Sequence, residues 1–330
     1  MRLSCACLCR VRVGRKWFST MKPQRMEDAW EREFGSVVVN WYPGHMAKST
    51  RSIRDRLKKV DHVVEVRDAR IPFSSANPEL DALVGASKSR LVVLNKADLA
   101  DPCPKQRQQV LKKLEAEGRE AMFISSSSKQ HVQRVVDWMA NSGTRGGSFK
   151  TAGSMAMVVG MPNVGKSTLI NRIRLGARGV KGDRAKHVAK VGARPGVTRQ
   201  LTMFKIGESP PLFLIDTPGI MVPKASDAHT GLRLALTAAV PDARVGEDVL
   251  VRYMLWALNE KGKDPFGCSG YIKLLGLRDR SESVSEVVSA AWQKSGAQGK
   301  PSDIGQQIAC RYLLKEFRAG TFGRIMLDEV

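Results

Sequence analysis

A run of about 18 apolar residues, the length a helix needs to cross hydrocarbon, is nowhere present in the 330 residues, so no membrane-spanning helix is expected. Paired cysteines are missing too. The six cysteines, Cys5, Cys7, Cys9, Cys103, Cys268 and Cys310, include no Cys-x-x-Cys pair and no histidine at zinc-finger spacing, which argues against a disulfide framework and against structural zinc. Acidic residues are scarce: 32 Asp and Glu stand against 54 Lys and Arg, and the net charge of +22 is spread along the chain. Such a surface calls for a polyanionic partner, nucleic acid ahead of an anionic membrane, with a merely solubilising basic surface as the alternative. What is present, 42% hydrophobic and 26% charged residues, is the balance of a folded globular protein of one large or two ordinary domains.

Acid is absent altogether from residues 1–26, where Arg2, Arg10, Arg12, Arg15, Lys16, Lys22 and Arg25 precede the first carboxylate, Glu27. With Leu3, Leu8, Val11, Trp17 and Phe18 as an apolar side, this predicts a mitochondrial presequence over 1–20, cleaved near Phe18 to Met21. A plastid transit peptide and an RNA-binding basic arm are the alternatives. The expected location is the mitochondrial matrix, with a peripheral place on the inner membrane as a variant.

After the loop Trp41-Tyr42-Pro43-Gly44-His45, residues 46–60 read as a helix with Met46, Ile53, Leu57 and Val60 on one face and Lys48, Arg51, Arg54, Arg56, Lys58 and Lys59 on the other. An α/β alternation follows: strands over 62–66, 91–94 and 121–124, a short helix after the first strand, and helices over 104–118 and 130–141. The segment 143–153 reads as a linker, 155–159 as a strand, 168–174 as a helix, 176–200 as a long basic loop, and 202–206 with 212–215 as paired strands. Beyond about 225 the pattern is helical only, over 231–240, 247–259, 283–294 and 304–318. The predicted organisation is presequence 1–20, a first α/β part 21–142, linker 143–153, a second α/β part 154–224 and a smaller all-helical domain 225–330.

Gly160-Met161-Pro162-Asn163-Val164-Gly165-Lys166-Ser167 matches G-x-x-x-x-G-K-[ST] between a predicted strand and a predicted helix, the context a phosphate-binding loop requires. Glycines let backbone N–H groups turn inward onto phosphate, and the following helix dipole adds positive potential. Asn163, Val164, Gly165, Lys166, Ser167 and Thr168 are the predicted phosphate cradle, with Lys166 on the terminal phosphates and the Ser167 hydroxyl on Mg²⁺. An ordinary Gly-rich turn is the alternative. Asp216-Thr217-Pro218-Gly219 supports the first reading, since Asp216 can hold Mg²⁺ through water and the Gly219 N–H can meet a γ-phosphate.

Asn95-Lys96-Ala97-Asp98, directly after a strand, selects the base: a carboxylate accepts two hydrogen bonds from guanine N1–H and its amino group, a pair adenine cannot supply. Asp98 therefore predicts guanine, Lys96 lies over the base plane, and a backbone N–H of Ser125 or Ser126 meets O6. Taken alone the motif could be a helix cap. GTP and GDP are thus the predicted ligands. In Ras-like GTPases the phosphate loop comes first and base recognition last; here the order is reversed, which predicts a circularly permuted Ras-like P-loop GTPase domain, bridged by 143–153 and followed by the helical domain.

With these residues and Asn40-Trp41-Tyr42-Pro43-Gly44-His45-Met46, Asp68-Ala69-Arg70-Ile71-Pro72 and Pro195-Gly196-Val197-Thr198, the chain from about Asn40 to Val330 resembles the circularly permuted, ribosome-associated GTPases of the ribosome-biogenesis GTPase A type, in their mitochondrial branch. The resemblance implies GTP hydrolysis during assembly of the mitochondrial large ribosomal subunit, contact with its rRNA, and Thr198 as a further Mg²⁺ ligand. Where Ras-like enzymes carry a water-positioning Gln, this chain has Ile220, so the resemblance assigns catalysis to His45, whose alternative is packing of the N-terminal segment. It also implies K⁺ activation, with Asn163 as a ligand. The basic stretches 46–60 and 176–200 are the expected RNA-facing surfaces. An RNA-binding scaffold with a dead nucleotide site and a membrane-associated regulatory GTPase are the competing readings; the intact Lys166, Ser167, Thr198, Asp216 and Gly219 oppose the first, and a missing lipidation signal the second.

Overall fold

The computed structural model describes residues 60–84, 88–142, 154–177, 202–208, 211–216, 227–261 and 269–330, with Phe34, Asp55 and Leu57. The chain divides into two compact units, Met1–Val38 and Val39–Val330, and all that follows concerns the second. The presequence, the loop carrying His45, most of 46–60, the linker 143–153, the basic loop beyond residue 177 with Thr198, and 217–226 with Gly219 and Ile220 lie outside the described residues.

Among the described residues six strands form one sheet in the order β3-β2-β1-β4-β6-β5. They are β1 (His62–Asp68), β2 (Ser89–Asn95), β3 (Glu120–Phe123), β4 (Ser154–Val159), β5 (Thr202–Glu208) and β6 (Pro211–Asp216). All neighbours pair in parallel except β5, which runs antiparallel to β6 at the edge. β1 and β4 are adjacent although β2 and β3 intervene in sequence, so a crevice opens between their carboxyl ends. Central parallel strands are covered on both faces and read as apolar runs rather than alternations, as in β2, where Leu91, Val92, Val93 and Leu94 are all buried.

β1 departs from that rule, for Glu65 and Arg67 are buried in its middle. The Glu65 carboxylate accepts from Arg67 Nε at 2.8 Å and Nη2 at 3.1 Å, and from Arg90 Nη2 at 2.7 Å and Nε at 3.2 Å. Arg67 also donates to the Pro72 carbonyl at 3.1 Å. Burial pushes the Glu65 carboxyl up, and the two guanidiniums more than offset it, holding it below its ordinary range.

Helices α1 (Pro78–Val84), α2 (Pro104–Ala116), α3 (Lys129–Ser142) and α4 (Lys166–Ala177) connect or flank the strands. α2 starts on a proline, whose missing N–H costs nothing in a first turn, and turns Val110 and Leu114 inward. α3 buries Val132, Val135, Trp138 and Met139, one stripe at helical spacing. The predicted strands and helices that fall on described residues are present, most with ends moved by one to four residues; the 168–174 helix starts at Lys166 and runs to Ala177.

Beyond the sheet come α5 (Ala228–Leu236), a 3-10 turn (Asp242–Arg244), α6 (Glu247–Lys261), α7 (Gly270–Leu275), α8 (Val284–Lys294) and α9 (Ser302–Ala319). The expected 231–240 helix begins earlier because Asp227 caps it, its carboxylate accepting from Thr230 N at 2.8 Å, and it ends earlier because Ala238 turns left-handed at φ 65°. α9 ends on Gly320, φ 85°. The chain then returns to the sheet: Phe322, Ile325, Met326 and Leu327 are buried, and Met326 joins the core of Ala69, Val92, Leu94 and Ala97. The helices and the sheet thus fall within one compact unit.

Candidate nucleotide-binding site

Three loops meet at the carboxyl ends of β1, β2 and β4. The phosphate-loop candidate leaves β4 and enters α4, as strand-loop-helix geometry requires. Gly160, at φ 144°, passes so close to β1 that a Cβ there would strike the Val66 carbonyl oxygen. Gly165, at φ 98°, lies against the Asn95 amide, which a Cβ would likewise strike. Both glycines are therefore required by contact as well as by backbone conformation. Lys166 is buried, and its Nζ donates to the Met161 carbonyl at 2.7 Å, folding the ammonium into its own loop.

The turn after β2 is tied to this loop through side chains. Asn95 donates from Nδ2 to the Val164 carbonyl at 2.9 Å and accepts on Oδ1 from the Ser126 N–H at 3.1 Å and hydroxyl at 2.8 Å. Lys96, left-handed at φ 60°, donates to the Asn163 carbonyl at 2.6 Å and to Asp68 at 2.9 Å. One four-residue turn so fastens the phosphate loop and the Ser125–Ser126 loop together. Asp98 stands outside this network and is exposed. Val164 is buried, Ser167 and Thr168 lie partly open in the first turn of α4, and Asp216 ends β6 opposite Val158 of β4.

Two further contacts involve residues expected at the site. The Ser125 N–H donates to His131 Nδ1 at 3.0 Å and the Ser126 N–H to Asn95 Oδ1 at 3.1 Å. The next N–H, that of Ser127, meets the Ser125 hydroxyl at a long 3.4 Å. Second, Asn163 (φ 57°) donates from its side-chain amide to the Ala238 carbonyl at 2.8 Å, joining the phosphate loop to the turn after α5. Neither His131 nor Ala238 carries a sequence signal for this; both contacts depend on how distant segments stack.

Arg318 of α9 reinforces that junction. Its guanidinium donates to the Ala235 carbonyl at 3.0 Å, the Leu236 carbonyl at 3.0 Å and both oxygens of Asp242 at 2.6 and 2.9 Å, neutralising the carbonyl end of α5.

Among the described residues no group of three or more His, Cys, Asp or Glu side chains is placed to hold a metal ion. Mg²⁺, the ion expected with a phosphate-binding loop, takes hard oxygens from one or two protein groups with the rest from phosphate and water. The Ser167 position at the start of α4 and the Asp216 position at the adjacent strand end fit such a shared shell.

A glycine-lined loop between strand and helix, fastened to an Asn-Lys-x-Asp turn that precedes it in sequence, defines a circularly permuted P-loop GTPase. A model of the family described as 50S ribosome-binding GTPase matches residues 155–255. Mitochondrial ribosome-associated GTPase 1 of Mus musculus is 37% identical over 91% of this chain and 94% of its own length. Ribosome biogenesis GTPase A of Bacillus cereus is 34% identical over 88% and 94%. Among solved structures, the GNP-bound YlqF from T. maritima aligns over 86% of this chain and 98% of its own with a TM-score of 0.58 at 23% identity, a likeness of fold. The chain belongs to the family of circularly permuted GTPases that contains ribosome biogenesis GTPase A and mitochondrial ribosome-associated GTPase 1. It is a GTPase.

Proposed function

We propose that this GTPase is an assembly factor for the mitochondrial large ribosomal subunit, which binds that particle and its rRNA with GTP and leaves after hydrolysis. The observation that carries the nucleotide half of this reading is the turn 95–98: Asn95 and Lys96 hold the phosphate loop while Asp98 is left exposed for a guanine base. Support for the ribosomal half comes from the family's description, the relatives' names and the charge of +22. The acid-free stretch 1–26 and the mitochondrial relatives favour the matrix, where a basic surface also suits peripheral contact with the inner membrane. Residues 225–330 serve as the helical module that reads the nucleotide state through Asn163 and Ala238.

Asn95, Lys96, Asp98, Asn163 to Thr168, Gly219 and the Ser125–Ser127 loop hold the nucleotide in this proposal, with Ser127 N–H facing the base oxygen. Ser167, Thr198 and, through water, Asp216 hold Mg²⁺, which when bound offsets charge on the phosphate oxygens. An amide that donates from Nδ2 to Ala238 presents its Oδ1 on the other edge, the group proposed as a K⁺ ligand. His45 orients the attacking water, a place Ile220 cannot fill.

Asp98→Asn should move preference from GTP to XTP, read by competition against a fluorescent GDP; an unchanged preference would remove the base assignment. Wild-type protein with a non-hydrolysable GTP analogue should co-sediment with mitochondrial large subunits and with GDP should not. His45→Ala should lower kcat by roughly 100-fold with little change in GTP affinity, because a general base acts mainly in the transition state. Exchange of K⁺ for Na⁺ should slow the wild type and leave Asn163→Ala indifferent to the ion.

A further inference from the structure

Beside the nucleotide site the buried Asp68 and Arg70 form a charge cluster with the half-buried Lys96. Asp68 is the last residue of β1 and pairs in register with Asn95, the residue before Lys96. It is 1% exposed. Its Oδ1 accepts from the Arg70 N–H at 3.0 Å and Nε at 3.0 Å, and its Oδ2 from Arg70 Nη2 at 2.8 Å and Lys96 Nζ at 2.9 Å. The Asp68 N–H donates to the Ser75 hydroxyl at 3.2 Å, and the Arg70 carbonyl accepts from Leu327 N–H at 2.7 Å. The carboxylate is thus fixed from its backbone outward, and its second oxygen is aimed at the ammonium.

A lysine has four rotatable bonds and a compact charge, so it holds a fixed place over a flat ring only when its end is tethered. Here the tether has two anchors, Asp68 and the Asn163 carbonyl of the phosphate loop. We propose that Asp68 is a positioning residue for guanine-nucleotide binding, which holds the Lys96 ammonium over the base plane. The proposal rests on the assignment of Lys96 and Asp98 to base recognition.

The electrostatics agree with the geometry. Burial pushes Lys96 down, Asp68 opposes that, and Arg70 on the same loop and Arg318 on α9 push it further down. These are the charged groups that face it; the phosphate loop contributes the Asn163 carbonyl. Asp68 is the anion among them, so its removal leaves a half-buried ammonium with like charge alone.

The test is Asp68→Asn, which keeps the shape of the side chain, with GDP and GTP affinities measured using fluorescent analogues. The variant should bind both nucleotides roughly tenfold more weakly, the scale of a lost cation over a ring, and in a Lys96→Met background the same substitution should cost nothing further. A folded Asp68→Asn protein with wild-type affinity, or one whose loss is undiminished in the Lys96→Met background, would overturn the proposal. If that variant does not fold, Asp68→Glu decides: it keeps the charge but displaces it, so it should weaken nucleotide binding in the Lys96 protein and not in Lys96→Met, and equal effects in both would overturn the proposal. Should Asp98→Asn leave base preference unaltered, the base site itself is misassigned; should that variant switch to XTP while Asp68→Asn binds as wild type, Asp68 alone loses its role.

Discussion

Glu65 is a single carboxylate shared by two arginines inside a strand, and its worth is better judged by what its loss would leave than by the bonds it makes. Glu65→Gln would strand the buried Arg67 without a countercharge and leave Arg90 only Asp81 at the surface, which predicts a loss of about 3–5 kcal/mol in urea unfolding. Acid should find the same weakness. Burial pushes Asp68 up and Arg70 and Lys96 outweigh it, so both Asp68 and Glu65 are held below their ordinary values of 3.8 and 4.5. A carboxyl depressed on folding contributes stability that is complete above its unfolded value and is lost as pH falls below it, because the unfolded chain then takes up more protons. Thermal melts should therefore show a steep fall in stability below about pH 4, and Glu65→Gln should flatten it. A wild-type melting temperature that held steady down to pH 3 would contradict this account of β1.

Elements differ in how far the sequence alone reveals them, and the difference follows the range of the forces involved. The phosphate loop is legible because its glycines answer a local demand: Gly160 and Gly165 are at positive φ and face backbone or amide atoms. The strands are legible as apolar runs, and α3 and α9 as stripes of helical period. The six-residue α7, Gly270–Leu275, is not, since it is shorter than two helical turns and its first residue packs on Thr321 and Phe322 rather than on a repeat of its own. Asp68 is visible as a charged residue closing an apolar strand, but its pairing with Lys96 depends on the β1–β2 register, which no short window contains. Ser125 and Ser126 are legible as a polar loop closing a strand while the bonds of their N–H groups are not, because the histidine that takes the Ser125 N–H lies in the first turn of α3.

At the scale of the molecule the G domain is closed by residues far from it in sequence. Asp328 accepts from Phe73 N–H at 2.7 Å, Ser74 N–H at 2.8 Å, the Ser74 hydroxyl at 2.5 Å and Arg233 of α5 at 3.3 Å, across 255 residues in the first case. Ile325 N–H donates to the Leu99 carbonyl at 3.1 Å, on the turn that carries Asp98. Asp328→Ala would leave two backbone donors and a guanidinium without this acceptor, at about 3 kcal/mol, and should weaken GDP binding because the loops after β1 and β2 lose a shared brace. Urea titration and nucleotide titration on the same variant check both halves; a destabilised protein with full GDP affinity would detach the brace from the site. There is also a consequence in time. A ribosome delivers the base-recognition turn early and residues 322–328 more than two hundred residues later, so the nascent chain carries a half-built G domain through most of its synthesis, with Ala69, Leu94 and Ala97 still uncovered where Met326 will sit. Competence to hold nucleotide is then among the last properties the chain acquires, and an intermediate cut short before residue 322 would be a client for chaperones rather than a smaller GTPase.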